Sequence, residues 1–264
     1  MTSKEIKDDH ISWKQLANAY LENGEYDKAL KYLHKLLEES KEKKDTLTQS
    51  HVYNSIGTIY LYKKDYDTSL KFREKSLLLR EKLNDPIYIR ESFNDIAVVY
   101  HAMGKYENAL ENYQKCLSSF EEDDTSDWYG IICNNLASVY YHLKHWENCE
   151  KFYYKAYKVF ELINNSKQLA EISHNLAILY YCQDKTDKAI EQFNKSLVIY
   201  QSLKDKGLIA LSEKRIGDCY FDKKKYVDAL PYYKNCIKYF EKEDVLNYSD
   251  VSLKISKILN LTKK

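Results

Sequence analysis

Tyr20, Tyr60, Tyr100, Tyr140, Tyr180 and Tyr220 stand forty residues apart along a chain of 264. A fixed spacing of this size means that one supersecondary unit is stacked repeatedly instead of one large core being folded. Four residues before each Tyr is a branched aliphatic: Leu16, Ile56, Ile96, Leu136, Leu176 and Ile216. A small residue follows each aliphatic, in order Ala17, Gly57, Ala97, Ala137, Ala177 and Gly217, and another lies nine beyond each Tyr, at Ala29, Ser69, Ala109, Cys149, Ala189 and Ala229. Aliphatic and Tyr, four apart, share one face of a helix. A polar break such as Asn23-Gly24-Glu25 follows, and an aromatic then opens a second helix at Tyr26, Tyr66, Tyr106, Trp146 and Tyr226, with Thr186 in the fifth copy. Asp27, Asp67, Glu107, Glu147, Asp187 and Asp228 place negative charge where a helix N-terminus favours it. Each copy therefore reads as a helical hairpin whose small residues let the two backbones approach. A Leu at Ala137 should overpack that contact by about 1–3 kcal/mol.

The period predicts an all-α chain of six hairpins, counted as 10–49, 50–89, 90–129, 130–169, 170–209 and 210–249. Residues 1–9 form a lead-in. Over 248–264, Tyr248, Val251, Ile255, Ile258 and Leu259 share one face of a terminal helix that caps the stack. Asn84-Asp85-Pro86, Asp123-Asp124-Thr125-Ser126-Asp127, Asn164-Asn165-Ser166 and Asp205-Lys206-Gly207 punctuate the copies with N-cap and turn residues. Pro86 suits a first helical turn. Pro231 falls inside a helix and predicts a mild kink.

Composition removes other classes. Six Gly and two Pro are too few for a strand-and-turn fold or a disordered linker. A net charge of +1, with both signs dispersed, gives no stripe for a phosphate backbone, so nucleic acid is not an expected partner. No apolar run reaches the roughly 20 residues that span a bilayer, and the first ten residues lack the apolar core of a signal peptide. A soluble, cytoplasmic protein without membrane contact is expected. The six Cys form no CxxC pair, which points to reduced thiols. Five of them, Cys116, Cys133, Cys149, Cys219 and Cys236, fall at or near packing positions, and Cys182 alone is expected to meet solvent. His142 and His145 lie a turn apart, but Cys149 beyond them is a packing residue, so no metal site is read. No Cys–His pair has an orienting third residue, and glycine is too scarce for a phosphate cradle. No enzyme, cofactor or metal is expected.

Trp13, Leu16, Ala17, Tyr20 and Ala29 carry the spacing of the tetratricopeptide repeat signature, and the later copies repeat it with changes at the Trp position. The chain resembles that family over about nine tenths of its length. The family's usual unit has 34 residues and ends in Pro; here Lys41, Glu81, Glu121, Glu161, Gln201 and Glu241 hold the matching place. The longer unit is similar to those of kinesin light chain, the adaptor Pins and the Rap-type peptide receptors. The resemblance implies a right-handed superhelix in which the first helix of each pair lines a concave groove that binds peptide segments, without chemistry. Nine residues stand before the first copy here, so the effector domain of a Rap-type receptor is not expected.

On that arrangement the groove positions are those beside each small residue and turned away from the partner helix. The candidate peptide contacts are Lys14 and Asn18 in the first copy, Asn54 in the second, and Asn94 and His101 in the third. Asn134, Asn135, Tyr141 and His142 follow in the fourth, His174 and Asn175 in the fifth, and Lys214 and Arg215 in the sixth. A carboxamide both donates and accepts, so it grips a peptide bond whatever side chain that bond carries. Each such bond contributes about 0.5–1.5 kcal/mol, so a row is needed. Chaperone-tail binders of the family clamp a terminal carboxylate with Lys and Asn, then Asn, then Lys and Arg. Lys14 and Asn18 fit the first part, but Ser55, Glu91 and Asp95 stand at the others, and the acids should repel an anionic tail. Lys14, Lys214 and Arg215 leave positive charge at the two ends. The expected function is a non-enzymatic adaptor or scaffold that holds a peptide segment of a partner protein. The alternatives are a receptor for a short signalling peptide and a structural subunit that contacts partners by its convex face.

Overall fold

The register of the repeat is closed at its turns. In the computed structural model, described over residues 12–121 and 124–262, the carbonyl of every forty-spaced Tyr accepts the amide five residues on. Glu25 N–H to Tyr20 O is 2.8 Å, and Asp65, Lys105, His145, Lys185 and Lys225 repeat the bond at 2.9 Å to their own Tyr. A second bond, such as Gly24 N–H to Leu21 O at 3.0 Å, completes the left-handed Schellman closure of a helix. Residues 24, 64, 104, 144, 184 and 224 all take positive φ there, yet only Gly24 and Gly104 are glycine; Lys64, Lys144, Asp184 and Lys224 accept the strain. The lead-in at 1–9 and Asp123 of the third boundary lie outside the described residues.

Thirteen helices and no strand occur among the described residues. The chain divides into two units, Met1–Glu122 and Asp123–Lys264. The first holds α1 (Trp13–Glu22), α2 (Tyr26–Glu42), α3 (Thr46–Tyr62), α4 (Tyr66–Leu83), α5 (Pro86–Ala102) and α6 (Tyr106–Leu117). The second holds α7 (Asp127–His142), α8 (Trp146–Leu162), α9 (Ser166–Cys182), α10 (Thr186–Leu203), α11 (Lys206–Asp222), α12 (Tyr226–Glu243) and α13 (Val245–Thr262). Within each unit every helix packs on its neighbours in chain order, as a helical solenoid must. α3 through α5 and α8 through α12 each run 17 or 18 residues, where the additional residues of the long unit have gone.

From the second on, the hairpins start a few residues ahead of the counting frame, because their N-caps do. Asp45, Asp85, Ser126, Asn165 and Asp205 each accept a backbone N–H of the first turn of α3, α5, α7, α9 and α11. Asp244 caps α13 in the same way, through Asn247 N–H at 3.0 Å. Pro86 occupies the first position of α5. α12 runs unbroken through Pro231.

The small-residue columns are buried, with Ala17, Ala97, Ala137, Ala177, Ala29, Ala109, Cys149, Ala189 and Ala229 all at or below 1% exposure. The Tyr column does more than fill space. Tyr20 stacks flat on Tyr32, Tyr60 on Phe72, Tyr140 on Phe152 and Tyr220 on Tyr232, with ring centroids 5.5–5.8 Å apart. Each pair ties the last turns of a first helix to the second helix, worth about 0.5–1.5 kcal/mol beyond area. α13 closes the second unit by burying Val251 and Ile258 against Tyr233, Cys236 and Phe240 of α12.

Candidate peptide-binding face

In the first unit, Lys14 and Asn18 are exposed on α1 and border a small cavity of about 50 Å³ with Leu33, Leu36, Thr48, His51, Val52 and Ser55. The Asn54 amide oxygen accepts from Arg73 Nη1 at 3.2 Å. Arg73, 3% exposed, also meets Asp95 at 3.2 Å and donates to Thr58 Oγ1 at 3.3 Å. Arg80 donates to Tyr88 O at 3.0 Å and Ser92 Oγ at 2.9 Å, with Glu91 at 3.6 Å. The acids expected to repel an anion are thus already neutralised from within the fold. Burial holds the Glu91 carboxyl above its ordinary pKa, and Arg80 opposes the rise. Asn94 is buried, at 8% exposure; its amide nitrogen reaches Asp95 at 3.4 Å and its oxygen has no partner among the described residues. His101 meets the Tyr106 ring edge-on at 5.6 Å.

In the second unit, Asn134, Asn135 and Asn175 are half-buried on α7 and α9. Among the described residues, the buried Asn134 Oδ1 and His174 Nδ1 have no hydrogen-bond partner. The His174 ring packs edge-on against Phe193 at 5.1 Å, and burial, helped by the charge of Arg215, pulls its pKa down to about 4, so the imidazole is neutral. Tyr141 Oη lies 3.1 Å from Cys182 Sγ, a link from α7 to α9; burial first, then this contact, raises the phenol to about 12. The next rung, Tyr181 to Asp222, links α9 to α11. His142 is exposed and edge-on to Tyr141 at 5.5 Å. Burial pushes Cys133 up to about 11 and Cys116, Cys149, Cys219 and Cys236 up to about 12, so these thiols stay protonated packing atoms.

Lys214 departs from expectation. It is 7% exposed, and its ammonium sits 2.8 Å from Asp250 and 3.3 Å from Asp218. Asp218 also takes Lys254 at 2.7 Å and the Tyr233 hydroxyl at 2.8 Å. The positive end read from Lys214 is spent in docking α13. Arg215 beside it is half-buried, and its Nε has no acceptor among the described residues.

With this geometry in place, models of the tetratricopeptide repeat match residues 10–43, 48–122 and 128–202, most of the chain. The chain belongs to the tetratricopeptide repeat family. No curated protein sequence matches it. Among solved structures, it is similar to a signal transduction ATPase with numerous domains and a tetratricopeptide repeat sensor from Pyrococcus horikoshii, at 17% identity and TM-score 0.83 over 95% of this chain; the chain spans 38% of that protein. The apo form of RapI gives 16% identity and TM-score 0.75 over 95% of this chain and 72% of that one. A putative kinesin light chain from Podosopora anserina gives 14% and 0.62 over 73% and 95%. At these identities the likeness is one of fold. A tetratricopeptide repeat fold implies a protein–protein interaction module, and the family is in general not catalytic.

Repeat columns missed two residues of this face, Arg73 and Arg80. They stand where other tetratricopeptide repeats of this chain carry Leu33, Tyr113, Tyr153, Phe193 and Tyr233, or Ser40, Phe120, Phe160, Tyr200 and Phe240. An arginine interrupting an aromatic column was the available signal.

Proposed function

We propose that the chain is a non-enzymatic adaptor or scaffold that holds a peptide segment of a partner protein along the first helices of its repeats. One observation carries this reading. Asn94, Asn134 and His174 hold the same repeat position, and each has a buried polar atom without a partner among the described residues. Such an atom costs about 1–3 kcal/mol when left unmade. In the same column Lys14 is exposed, and Asn54 and Lys214 are satisfied by Arg73 and by Asp218 with Asp250. An unmet polar atom at the same repeat position in each unit fits first-helix faces completed by the backbone of something bound.

Replacing Asn94, Asn134, Asn135 and Asn175 together by Ala, with folding checked by circular dichroism, should abolish recovery of partner proteins from the native cell by the tagged chain. Full recovery of the same partners by the folded variant would overturn the reading and move attention to the convex face.

A further inference from the structure

One position of the second helices carries a stacked aromatic ring in most copies and lacks it in the fifth. Tyr32, Phe72, Phe152 and Tyr232 each lie flat on the forty-spaced Tyr of their own hairpin, with centroids 5.5–5.8 Å apart. The third copy has Asn112 there, whose amide turns back to Asn108 O at 2.9 Å, and the fifth has Gln192. Beside Gln192 a cavity of about 220 Å³ is lined from α8, α9 and α10, with Tyr154, Tyr157, Tyr180 and Lys188 around it. A cavity of about 150 Å³ is enough for benzene, so this one has room for a single ring. The other parts of the stacking site are in place. In the first copy Lys28 lies 5.2 Å over the Tyr20 ring on which Tyr32 also stacks. The fifth copy keeps the lysine, Lys188 at 5.3 Å over Tyr180, without the second ring. Tyr180 is held from swinging into the space, because its hydroxyl donates to Glu150 at 2.6 Å and meets Tyr154 Oη at 3.1 Å. Gln192 lines the cavity at 7% exposure, and its carboxamide makes no hydrogen bond to a described residue.

We propose that this cavity is a docking site for one aromatic side chain of a partner protein, which completes from outside the stack that Tyr32, Phe72, Phe152 and Tyr232 complete from within. The occupant is read from the fold itself, since four other hairpins fill the matching place with a Tyr or Phe ring. A ring entering here gains the Tyr180 face, and Lys188 adds the attraction of a cation for the ring system. A partner's side chain is favoured over a free aromatic molecule because Tyr154, Lys188 and Lys195 are exposed at the edge. They form a polar rim around a buried ring, the anatomy of an interface hot spot. The site is framed by two second helices and stands independently of the asparagine column on the first helices.

The test uses the full chain with isotope-labelled leucine methyls, titrated with N-acetyltyrosinamide, N-acetylphenylalaninamide and N-acetylleucinamide and followed by NMR. Leu176 lines the cavity, and Leu136 holds the same repeat position where Phe152 already closes the stack. The two aromatic amides should shift the Leu176 methyls and leave those of Leu136 in place. Gln192→Phe, which supplies the ring from within, should weaken that binding by on the order of tenfold. Circular dichroism melting checks the fold of the variant; should it fail to fold, Tyr154→Ala at the exposed edge takes its place, with weaker binding again expected. No shift at Leu176, an equal shift from the leucine amide, or equal binding by the folded variant each overturns the site. For the partner, proteins recovered from the native cell by the tagged chain are compared with those recovered by Gln192→Phe and by the variant with Ala at 94, 134, 135 and 175. A partner lost with Gln192→Phe, kept by the asparagine variant and released by alanine at one of its own aromatic residues supports docking here. Full recovery of every partner by Gln192→Phe overturns it, whatever the asparagine variant does to the groove reading.

Discussion

Gly57 of α3 lies directly against Arg73 of α4: a Cβ added at Gly57 would stand 2.9 Å from Arg73 Cγ and 3.2 Å from the Ser69 carbonyl oxygen. The other first helices carry Ala at this position except at Gly217, where Tyr233 makes the corresponding approach at 2.8 Å. Loss of the side chain at residue 57 lets an arginine pass between two helices and deliver its charge to Asn54, Thr58 and Asp95. Gly57→Ala should therefore destabilise the chain by about 1–3 kcal/mol, read as a lower urea midpoint. An unchanged midpoint would mean that Arg73 yields without cost.

The turn at Lys144 should respond in the opposite sense. Its φ is +59°, in the left-handed region that costs a Cβ-bearing residue about 1–2 kcal/mol. Lys144→Gly should raise stability by about 0.5–1 kcal/mol after the added freedom of the unfolded chain is subtracted. Gly104→Ala, at φ +72° and with open space around its would-be Cβ, should lower stability by a similar amount. Thermal melting of the two variants checks both signs.

Tyr180 lacks the flat stacking partner of its counterparts in four other repeats, because Gln192 stands where Tyr32, Phe72, Phe152 and Tyr232 stand. A cavity of about 220 Å³ opens beside it, lined by Tyr154, Tyr157, Leu176, Tyr180, Lys188 and Gln192 among others. Gln192→Phe should fill part of that space and restore the stack, raising stability by roughly 0.5–1.5 kcal/mol. A lowered melting temperature would show instead that the ring overpacks the α9–α10 contact.

Acid should weaken the second unit through His174. Its pKa falls from 6.5 to about 4 on folding, so between those values the unfolded chain binds a proton that the folded chain refuses. Stability contributed by the neutral ring is complete above pH 6.5 and is lost as pH falls toward 4, by on the order of 2–3 kcal/mol. His174→Asn, which places there the residue found at 54, 94 and 134, should flatten that part of the stability profile. Urea midpoints at pH 7 and pH 4.5 for both proteins decide it: an identical decline would assign the sensitivity to other groups.

Asp218 joins α11, α12 and α13 by accepting from Lys214, Tyr233 and Lys254. Removing one partner from such a buried set is costlier than removing the whole set, about 3–5 kcal/mol. Asp218→Ala should release α13 first, seen as faster proteolysis within 245–262 than in α11. Equal cleavage of wild type and variant would show that Val251 and Ile258 alone hold the cap.

The repeat was legible because its signals are local: a branched aliphatic, a small residue and a Tyr at fixed offsets describe one helix face, and the capping side chains of the first helices stand directly before the helices they start. What escaped came from outside the period. Lys64, Lys144 and Lys224 occupy left-handed turns where glycine would have announced the geometry. Lys214 occupies a repeat column that carries Asn at 54, 94 and 134, and only the non-repeating helix α13 supplies the Asp250 that draws it inward. Of the candidate contacts, Asn94, Asn134 and His174 share a column with unmet atoms, whereas Asn54 and Lys214 of that column are satisfied inside the fold.

The caps at Asp45, Asp85, Asn165 and Asp205 and the closures at residues 24, 64, 104, 144, 184 and 224 recur at the same phase. Each hairpin is consequently a cassette that begins with its own start signal and contains its own internal stop. Joining the chain across equivalent caps, for example Asn165 to Lys206, would remove one hairpin and still set a capping side chain, Asn165, in front of the first turn of α11. Gain or loss of length in such a chain is thereby channelled into whole forty-residue steps, since any other step would set the small-residue column of one helix against the wrong turn of the next.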